Sequence, residues 1–249
     1  MSRGRSTRVA PSARATPSAR ATPSALATLS ARIVACRRCE RLVDWCAGVA
    51  RDKRAAYAAD TYWARPVAGF GDARARVVVV GLAPGAHGAN RTGRVFTGDR
   101  SGEWLYRALH RAGFANQPTS IARDDGLLLR DAWVTVAVRC APPDNKPTPA
   151  ERDTCLPFFV EELRLLTQAR VLVCLGKFAW DAVLRALAAA GNTPPSPRPK
   201  FAHAAEAAVA GYTLLGSYHP SQQNTFTGKL TGPMLDAVFT RAAALVAVA

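Results

Sequence analysis

Residues 77–98 read VVVVGLAPGAHGANRTGRVFTG, and this stretch decides the fold. Four consecutive valines closed by Gly81 predict a short strand that is buried on both faces. The glycine-rich segment that follows lets the backbone approach a flat ligand closely. It departs from the dinucleotide-binding fingerprint in the spacing of Gly81, Gly85 and Gly88, and it lacks the Lys-Ser/Thr pair of a P-loop. A nucleotide-hydrolysing enzyme is therefore disfavoured.

Outward from this strand, short apolar segments alternate with helical patterns. Further strands are predicted over 133–138, 171–175 and 213–218, and helices over 101–112, 149–166, 177–190 and from 231. This alternation predicts an α/β fold with a parallel sheet covered by helices on both faces. Ligands bind beyond the carboxyl ends of the strands in such sheets. We therefore expect the site where segments 81–98 and 219–229 (HPSQQNTFTGK) meet.

The composition favours an anionic partner. The 249 residues contain 33 Lys and Arg against 18 Asp and Glu, a formal net charge of +15. Nucleic acid is the partner that such a surplus favours most, although codon bias can produce an Arg-rich chain without any partner. No stretch has the length and apolarity of a membrane span, and the N-terminus lacks a secretory apolar region. The sequence therefore predicts a cytoplasmic location and no membrane partner.

The N-terminal segment has a different character from the rest of the chain. Residues 11–28 repeat a six-residue unit, PSARAT, PSARAT and PSALAT, and no acidic residue precedes Glu40. Such sequence has too few large apolar groups to offset the entropy of ordering. We predict a disordered tail over 1–23 and a single domain over 24–249. The tail is either a loose electrostatic arm or an inert extension, and its composition also resembles a transit peptide.

Four of the six cysteines have the spacing of a metal site. Cys36-Arg-Arg-Cys39 forms one pair, and Cys140 and Cys155 form another across a proline-rich loop. Four thiolates suit either zinc or an iron–sulfur cluster. The missing second CxxC knuckle favours the cluster, while two unrelated pairs of reduced thiols stay open as an alternative. Cys174 lies in an apolar strand and is predicted to be a core residue, and Cys46 has no partner at a known spacing.

The two strand-end segments offer polar and aromatic candidates. In the first, Phe96 either stacks on a base or anchors the loop to the core. In the second, His219 lies where this fold places catalytic groups, although a lone histidine is commonly structural. The uncharged residues 222–225 suit hydrogen bonding within a groove or filling a vacated base position.

Two long motifs and the cysteine spacing together resemble a known family. The segment from Gly81 to Asp99, the triplet His219-Pro220-Ser221, Asn224 and the four cysteines are similar to the uracil-DNA glycosylase superfamily. They look most like its family 5 branch, the iron–sulfur enzymes of broad specificity. The resemblance runs from about residue 26 to the C-terminus. It implies a three-layer α/β sandwich with a central four-stranded parallel sheet, and DNA crossing the strand ends.

The resemblance also implies a cofactor and a set of site residues. It implies a structural [4Fe–4S] cluster on Cys36, Cys39, Cys140 and Cys155. Ala83 stands where many relatives carry an Asp or Asn that activates water, which fits family 5 and removes the obvious general base. The implied catalytic residues are Asn90, which would orient water, and His219, which would stabilise the departing base. The implied substrate-binding residues are Gly81, Leu82, Ala83, Phe96 and Asn224, and the implied DNA-binding residues are Arg91, Arg94, Ser221, Gln222, Gln223 and Thr225.

The function implied by the resemblance is that of a monofunctional DNA glycosylase in base excision repair. It would act as a nucleoid-associated monomer and excise uracil. Hypoxanthine, xanthine, hydroxymethyluracil and ethenocytosine are further possible substrates. A non-catalytic DNA-binding module with a four-cysteine zinc or cluster site, a redox protein and a stricter family 4 enzyme are the alternatives. The pocket-like loop ending at Phe96 counts against simple backbone binding, and Ala83 counts against family 4.

Overall fold

One mixed β-sheet organises the molecule. A computed structural model describes residues 23–193 and 195–247. The strands in these residues are β1 (Phe70–Gly71), β2 (Val77–Gly81), β3 (Ala132–Val136), β4 (Val171–Leu175), β5 (Glu206–Val209) and β6 (Tyr212–Ser217). They form a sheet in the order β1-β3-β2-β4-β6-β5.

Helices connect the strands and flank the sheet. They are α1 (Pro23–Val34), α2 (Glu40–Asp52), α3 (Ala89–Thr92), α4 (Arg100–Arg111), α5 (Pro149–Leu165), α6 (Lys177–Ala189), α7 (Gln222–Phe226) and α8 (Gly232–Ala247). Short 3₁₀ turns cover Ala55–Tyr57 and Pro143–Asn145. The long predicted helices lie within one or two residues of their expected bounds.

The predicted α/β architecture is confirmed, with an addition at each edge. The four predicted strands form the parallel centre β3-β2-β4-β6. β1 pairs with β3 and β5 pairs with β6, both antiparallel, so the sheet has six strands where four were expected. Neither edge strand has an apolar run long enough to predict a strand, since β1 has only two residues and the run in β5, EAAV, has three.

Alternating side chains of the central strands divide the core into two layers. Val77 and Val79 point into a cluster with α4 and α8, where Leu105 and Phe239 are fully buried. Val78 and Val80 point into the opposite cluster, with residues of α1, α5 and α6. Successive side chains of a strand face opposite sides of a sheet, so a run of valines fills both layers. This arrangement is the expected three-layer sandwich.

Two helices begin with side-chain caps that also contact neighbouring segments. Asp99 caps α4, accepting a hydrogen bond from the amide of Gly102 at 2.9 Å. Thr148 and Glu151 form a reciprocal capping box at the start of α5. Glu151 also accepts two hydrogen bonds from Arg41 of α2, at 2.7 and 2.8 Å. The start of α5 is thereby tied to α2.

The predicted tail over 1–23 lies outside the described residues, except for Pro23, where α1 begins. The division of the chain into this tail and a domain over 24–249 stays a prediction. Within the described part of the chain, no helix has the length and apolarity needed to cross a membrane.

Candidate active site at the strand ends

A cavity of about 600 Å³ opens where the two strand-end segments meet. It lies beyond the carboxyl ends of β2 and β6, the place that the parallel sheet predicts for a ligand. The sequence-predicted residues that line it are Leu82, Ala83, Phe96, His219, Ser221, Gln222 and Gln223. Gly81, Asn90, Arg91, Arg94, Asn224 and Thr225 are not part of its lining.

Phe96 forms one wall of the cavity and covers Gly81. A Cβ on Gly81 would lie 2.6 Å from the Phe96 ring, so only glycine leaves room for that ring. The Phe96 backbone has φ of 51°, in the left-handed region that aromatic residues rarely adopt. The ring centroid lies 5.8 Å from that of His219, with the two planes at 33°. Gly81 therefore serves the site by holding the aromatic ring.

His219 is a neutral hydrogen-bonding group. Its side chain is half-buried, and desolvation lowers the pKa of the imidazole to about 4. At physiological pH the ring is uncharged, with one nitrogen able to donate and the other able to accept. A group of this kind can donate to an oxygen on which negative charge develops.

The short helix α7 holds the segment that carries His219. Asn224 donates a hydrogen bond from Nδ2 to the backbone carbonyl of His219 at 2.9 Å. Thr225 donates from its hydroxyl to the carbonyl of Gln222 at 3.3 Å. Asn224 thus positions the histidine through its backbone and does not line the cavity.

Asn90 lies behind the loop that lines the cavity. It is 1% exposed, and its Nδ2 is 3.4 Å from both the Ala86 and the Cys46 carbonyls. Its Oδ1 is buried without a hydrogen-bond partner among the described residues. The Asn90 side chain therefore joins the glycine-rich loop to α2, and its Oδ1 stays free to accept a hydrogen bond.

Arg94 is buried and fully paired inside the protein, and its role in DNA binding stays a prediction that this burial does not favour. Its side chain is 4% exposed and pairs with both carboxylate oxygens of Asp125 at 2.8 Å. It also donates to Ser120 and to the Arg123 carbonyl. A guanidinium occupied in this way inside the protein has no surface to present to phosphate.

The predicted role of Arg91 in DNA binding is likewise not favoured by its contacts. Its three guanidinium nitrogens donate to the His87 carbonyl, the Asp60 carboxylate and the Gly98 carbonyl, at 2.6 to 2.8 Å. The guanidinium also lies 4.0 Å above the Tyr57 ring. It braces the glycine-rich loop from within. The arginines that do line the cavity are Arg54 and Arg100, which the sequence did not single out.

Asp99 also lines the cavity, although no role was assigned to it from the sequence. Its carboxylate packs directly against the glycine-rich loop at Gly88. A Cβ on Gly88 would come within 1.9 Å of Asp99 Oδ2. It lines the same cavity as Ala83. Burial raises the pKa of this carboxyl, with the amides of Gly102 and Ser101 acting in the opposite direction. Neither its role as the cap of α4 nor its approach to Gly88 was predicted from the sequence.

His87 and Tyr57 complete the wall on the side of α2. The two rings stack with their centroids 6.4 Å apart, and Tyr62 shares a hydrogen bond with His87 Nδ1 at 2.9 Å. Desolvation, together with the charges of Arg54 and Arg91, lowers the pKa of His87. Both His87 and Tyr57 line the cavity. The aromatic surface offered to a flat ligand is thus larger than Phe96 alone.

Cys36, Cys39, Cys140 and Cys155 lie close enough for the charge of one thiolate to shift the pKa of another. Cys36 and Cys39 stand between α1 and α2, Cys140 follows β3, and Cys155 lies in α5. All six cysteines are free thiols. Burial raises the pKa of Cys140, and the neighbouring thiols of Cys46, Cys155, Cys36 and Cys39 raise it further. The same two kinds of cause, burial first, raise the pKa values of Cys39 and Cys155.

This donor set fits a cationic cluster. Metal-bound thiols are deprotonated, and a cation relieves the repulsion that otherwise keeps neighbouring thiols protonated. Among residues 23–193 and 195–247, no three His, Cys, Asp or Glu side chains form a group that could hold a metal ion. A four-iron cluster is wider than a single ion, so its four thiolates stand farther apart than the ligands of one ion.

Comparison with known proteins assigns the family. Residues 68–243 match the family model of the uracil DNA glycosylase superfamily. The chain belongs to the uracil-DNA glycosylase superfamily. The matched range contains the glycine-rich loop, Phe96, Asp99 and His219, which line the cavity of this superfamily member.

Two curated relatives identify the branch. The chain is similar to the Type-5 uracil-DNA glycosylase of Mycobacterium tuberculosis, at 53% identity over 220 residues, covering 88% of this chain and 81% of that protein. It is similar to the Type-5 uracil-DNA glycosylase of Thermus thermophilus at 50% identity over 203 residues, covering 81% of this chain and 90% of that protein. The predicted resemblance to the family 5 branch is thereby confirmed.

Type-4 relatives match a shorter part of the chain. Similarity to the Type-4 uracil-DNA glycosylase of Archaeoglobus fulgidus is 33% identity over 114 residues, covering 45% of this chain and 49% of that protein. The lower identity and smaller coverage agree with the expectation, drawn from Ala83, that this uracil-DNA glycosylase homologue is not of the stricter type.

Proposed function

We propose that this protein hydrolyses the N-glycosidic bond of deoxyuridine in DNA and leaves an abasic site. The observation that carries the proposal is the neutral His219 imidazole, 5.8 Å from the Phe96 ring at the strand-end cavity. The Phe96 ring can stack on a flipped base, and the His219 imidazole can stabilise negative charge on that base. The names of the type-5 relatives support uracil as the base.

The first step is entry of the target nucleotide into the cavity. Flipping a base from the stack costs a few kcal/mol, about least for a mispaired base such as uracil opposite guanine. A cavity of about 600 Å³ has room for a pyrimidine and its sugar. Phe96 stacks on the base, and the backbone at Leu82 and Ala83 contacts its edge. Arg54 and Arg100, which line the cavity, bind the flanking phosphates.

The second step is bond cleavage. The C1′–N1 bond breaks with its electron pair moving to the base, leaving an oxocarbenium-like sugar and a uracil anion. Neutral His219 donates a hydrogen bond to the anion, and the phosphates of DNA stabilise the cation. Water then adds to C1′. The Oδ1 of Asn90 is buried behind the glycine-rich loop without a hydrogen-bond partner, so it can accept from a water that enters there, which supports an orienting role, but an amide cannot take the proton.

The proposed range of damaged bases follows from the way Phe96 and the backbone at Leu82 and Ala83 would contact the base. Bases read mainly by stacking and backbone contacts can vary in their exocyclic groups. We therefore extend the proposal to hypoxanthine, xanthine, hydroxymethyluracil and ethenocytosine. The enzyme would act as a monomer on chromosomal DNA, in association with the nucleoid.

The cofactor proposal is a structural [4Fe–4S] cluster held by Cys36, Cys39, Cys140 and Cys155. The cluster would hold α1, α2, α5 and the loop after β3 together. Cys140→Ala is expected to abolish the brown absorption of the purified protein and its bound iron. Cys174→Ala, in the core strand β4, is the matched control and should keep both. Unchanged iron content in the Cys140 variant would contradict the assignment.

The function is tested with duplex oligonucleotides that carry one uracil or one hypoxanthine. Alkali should cleave the product strand at the lesion, and omission of alkali should leave it intact, as for a monofunctional glycosylase. An undamaged duplex is the control. Binding without any release of base would favour the alternative of a non-catalytic DNA-binding module.

A further inference from the structure

The loop between α4 and β3, residues 112–131, makes a long excursion that the mechanism above does not use. α4 begins beside the cavity, whereas β3 begins at Ala132, which pairs with Val77 at the amino end of β2, away from the cavity. Between them the loop returns to the cavity, because the amide of Gly98, a cavity residue, donates to the carbonyl of Ser120 at 2.9 Å. Connections of this length in a compact domain commonly have a function.

The tip of this loop, residues 119–125, is held by a buried ion pair. Arg94 pairs with Asp125 at 2.8 Å and donates to the Ser120 hydroxyl, also at 2.8 Å. The Asp125 carboxylate in turn accepts a hydrogen bond from the amide of Ile121 at 2.7 Å. Contacts inside the protein therefore fix the conformation of the tip.

Ile121 projects from this fixed tip at the rim of the cavity. It is 68% exposed, more than any other large apolar side chain among the described residues. Its carbonyl oxygen lies beside the cavity residue Gly98, where an added Cβ would be 3.2 Å from it. Because the tip is held in place, this apolar side chain is positioned to be covered by a molecule that enters the cavity.

The charges of the tip favour bases over phosphates as the partner of Ile121. The exposed Arg123 stands next to the exposed Asp124, and the buried Arg94 is matched by Asp125. The tip therefore lacks the surplus of positive charge that binds phosphate. Isoleucine is one of the apolar side chains that proteins insert between the base pairs of a duplex, where they partly unstack it.

We propose that Ile121 is an apolar wedge that inserts into duplex DNA next to the target nucleotide. The proposal rests on the proposed glycosylase function. The wedge separates the target from the neighbouring base pair and so lowers the cost of moving the base into the cavity. It acts beside the vacated position, which residues 222–225 are predicted to fill. A single strand has no neighbouring pair to separate, so the wedge serves duplex substrates alone.

The test compares single-turnover excision of uracil from a duplex and from the single strand of the same sequence. Ile121→Ala should lower the rate on the duplex about 10-fold, through loss of the buried side chain, and leave the rate on the single strand unchanged. Ile121→Leu keeps an apolar wedge and should retain both rates. Because the side chain is exposed, the unfolding temperature should not change.

Leu128→Ala is the matched control. Leu128 is 64% exposed and lies in the same loop, but near β3, where its carbonyl accepts from the Asn116 amide at 3.1 Å. This variant should excise uracil from both substrates at the original rates. Equal losses on duplex and single strand for Ile121→Ala, an equal loss for Leu128→Ala, or excision confined to single strands in the unchanged protein would overturn the proposal.

A binding measurement tests the wedge without catalysis. Two duplexes carry 2-aminopurine on one side or the other of an abasic site, and each is saturated with protein. The unchanged protein should raise the fluorescence of one duplex by unstacking its 2-aminopurine, and Ile121→Ala should raise it less. An equal rise with both proteins would contradict the wedge. The expected difference without any release of uracil by the unchanged protein would instead overturn the proposed function.

Discussion

At the scale of single residues, the absence of a side chain at Gly81 sets the position of the Phe96 ring. We expect Gly81→Ala to push the ring out of place, because the new Cβ would lie 2.6 Å from it. A misplacement of about 1 Å near the reacting bond can cost about 100-fold in rate, and we expect a loss of this size. Single-turnover excision of uracil measures it.

Gly48→Ala in α2 is the control for this variant. A Cβ there meets only the Arg51 guanidinium, at an ordinary 3.5 Å. It should leave excision unchanged. If Gly81→Ala were as active as Gly48→Ala, the Phe96 ring would not be a wall on which the base stacks.

His219 supplies the second prediction at this scale. We expect His219→Ala to lower single-turnover excision about 100-fold, as loss of one donor to a developing anion commonly does. Because the pKa of His219 is about 4, its NMR signals should not titrate between pH 8 and pH 5.5. A titration midpoint near 6.5, or a rate within a few-fold of the original, would contradict this role.

The same lowered pKa has a consequence for stability. Between the unfolded pKa of about 6.5 and the folded value of about 4, the unfolded state binds more protons at this position than the folded state. The free energy of unfolding therefore falls as the pH falls through that window. His219→Ala should remove this part of the pH dependence in urea denaturation.

Residue roles were the least predictable part of the site. Arg94 looked like a surface cation because its partner Asp125 is 31 residues away in the chain. Asp99 was given no role of its own, because the sequence does not show that Gly88 faces it. Phe96 and His219 were singled out by the family resemblance, and both line the cavity, while their roles stay predictions.

At the scale of elements, the Arg94–Asp125 pair holds the loop between α4 and β3. Burial alone would raise the pKa of Asp125, but Arg94 and the backbone amides of Ile121, Ala122 and Leu127 outweigh it and lower the value. Arg94→Met should lower the free energy of unfolding by about 3 kcal/mol, because it leaves this carboxylate without its partner. Urea denaturation at neutral pH measures the change.

Arg111→Met is the control for the Arg94→Met variant. Arg111 pairs with Asp236 at 2.6 Å, but its side chain is 57% exposed, against 4% for Arg94. Exposed pairs contribute about 0 to 1 kcal/mol, so this variant should be nearly neutral. Equal losses in the two variants would mean that Arg94 does not hold the loop.

Sequence reasoning succeeded for elements with strong local patterns. The valine run of β2 and the long helices α4, α5 and α6 were predicted, because burial and helical periodicity restrict residue types locally. The edge strands β1 and β5 did not, since their pairing depends on neighbours far away in the chain. The short helix α3 is equally hidden, because its four residues ANRT carry no periodicity.

At the scale of the whole molecule, the charge of +15 predicts salt-sensitive binding to DNA. The logarithm of the binding constant should fall linearly with the logarithm of salt concentration, with a slope of about −0.9 per phosphate neutralised. Arg54→Gln and Arg100→Gln should each reduce the magnitude of this slope by about 1. Fluorescence anisotropy with an abasic duplex measures it.

Arg107→Gln is the control for the salt series. Arg107 is exposed on α4 and does not line the cavity. The salt dependence of DNA binding by the Arg107→Gln variant should have the same slope as that of the unchanged protein. If all three variants had the same slope, the DNA would not follow the path across the strand ends that Arg54 and Arg100 mark.

The close approach of Asp99 to Gly88 limits how this protein can evolve. With 1.9 Å between a Cβ at position 88 and Asp99 Oδ2, position 88 cannot accept another residue while Asp99 keeps its place. A library that randomises position 88 alone should therefore return only glycine among the functional clones. Active variants with a different residue at position 88 are expected only where position 99 has also changed. The two positions should therefore covary.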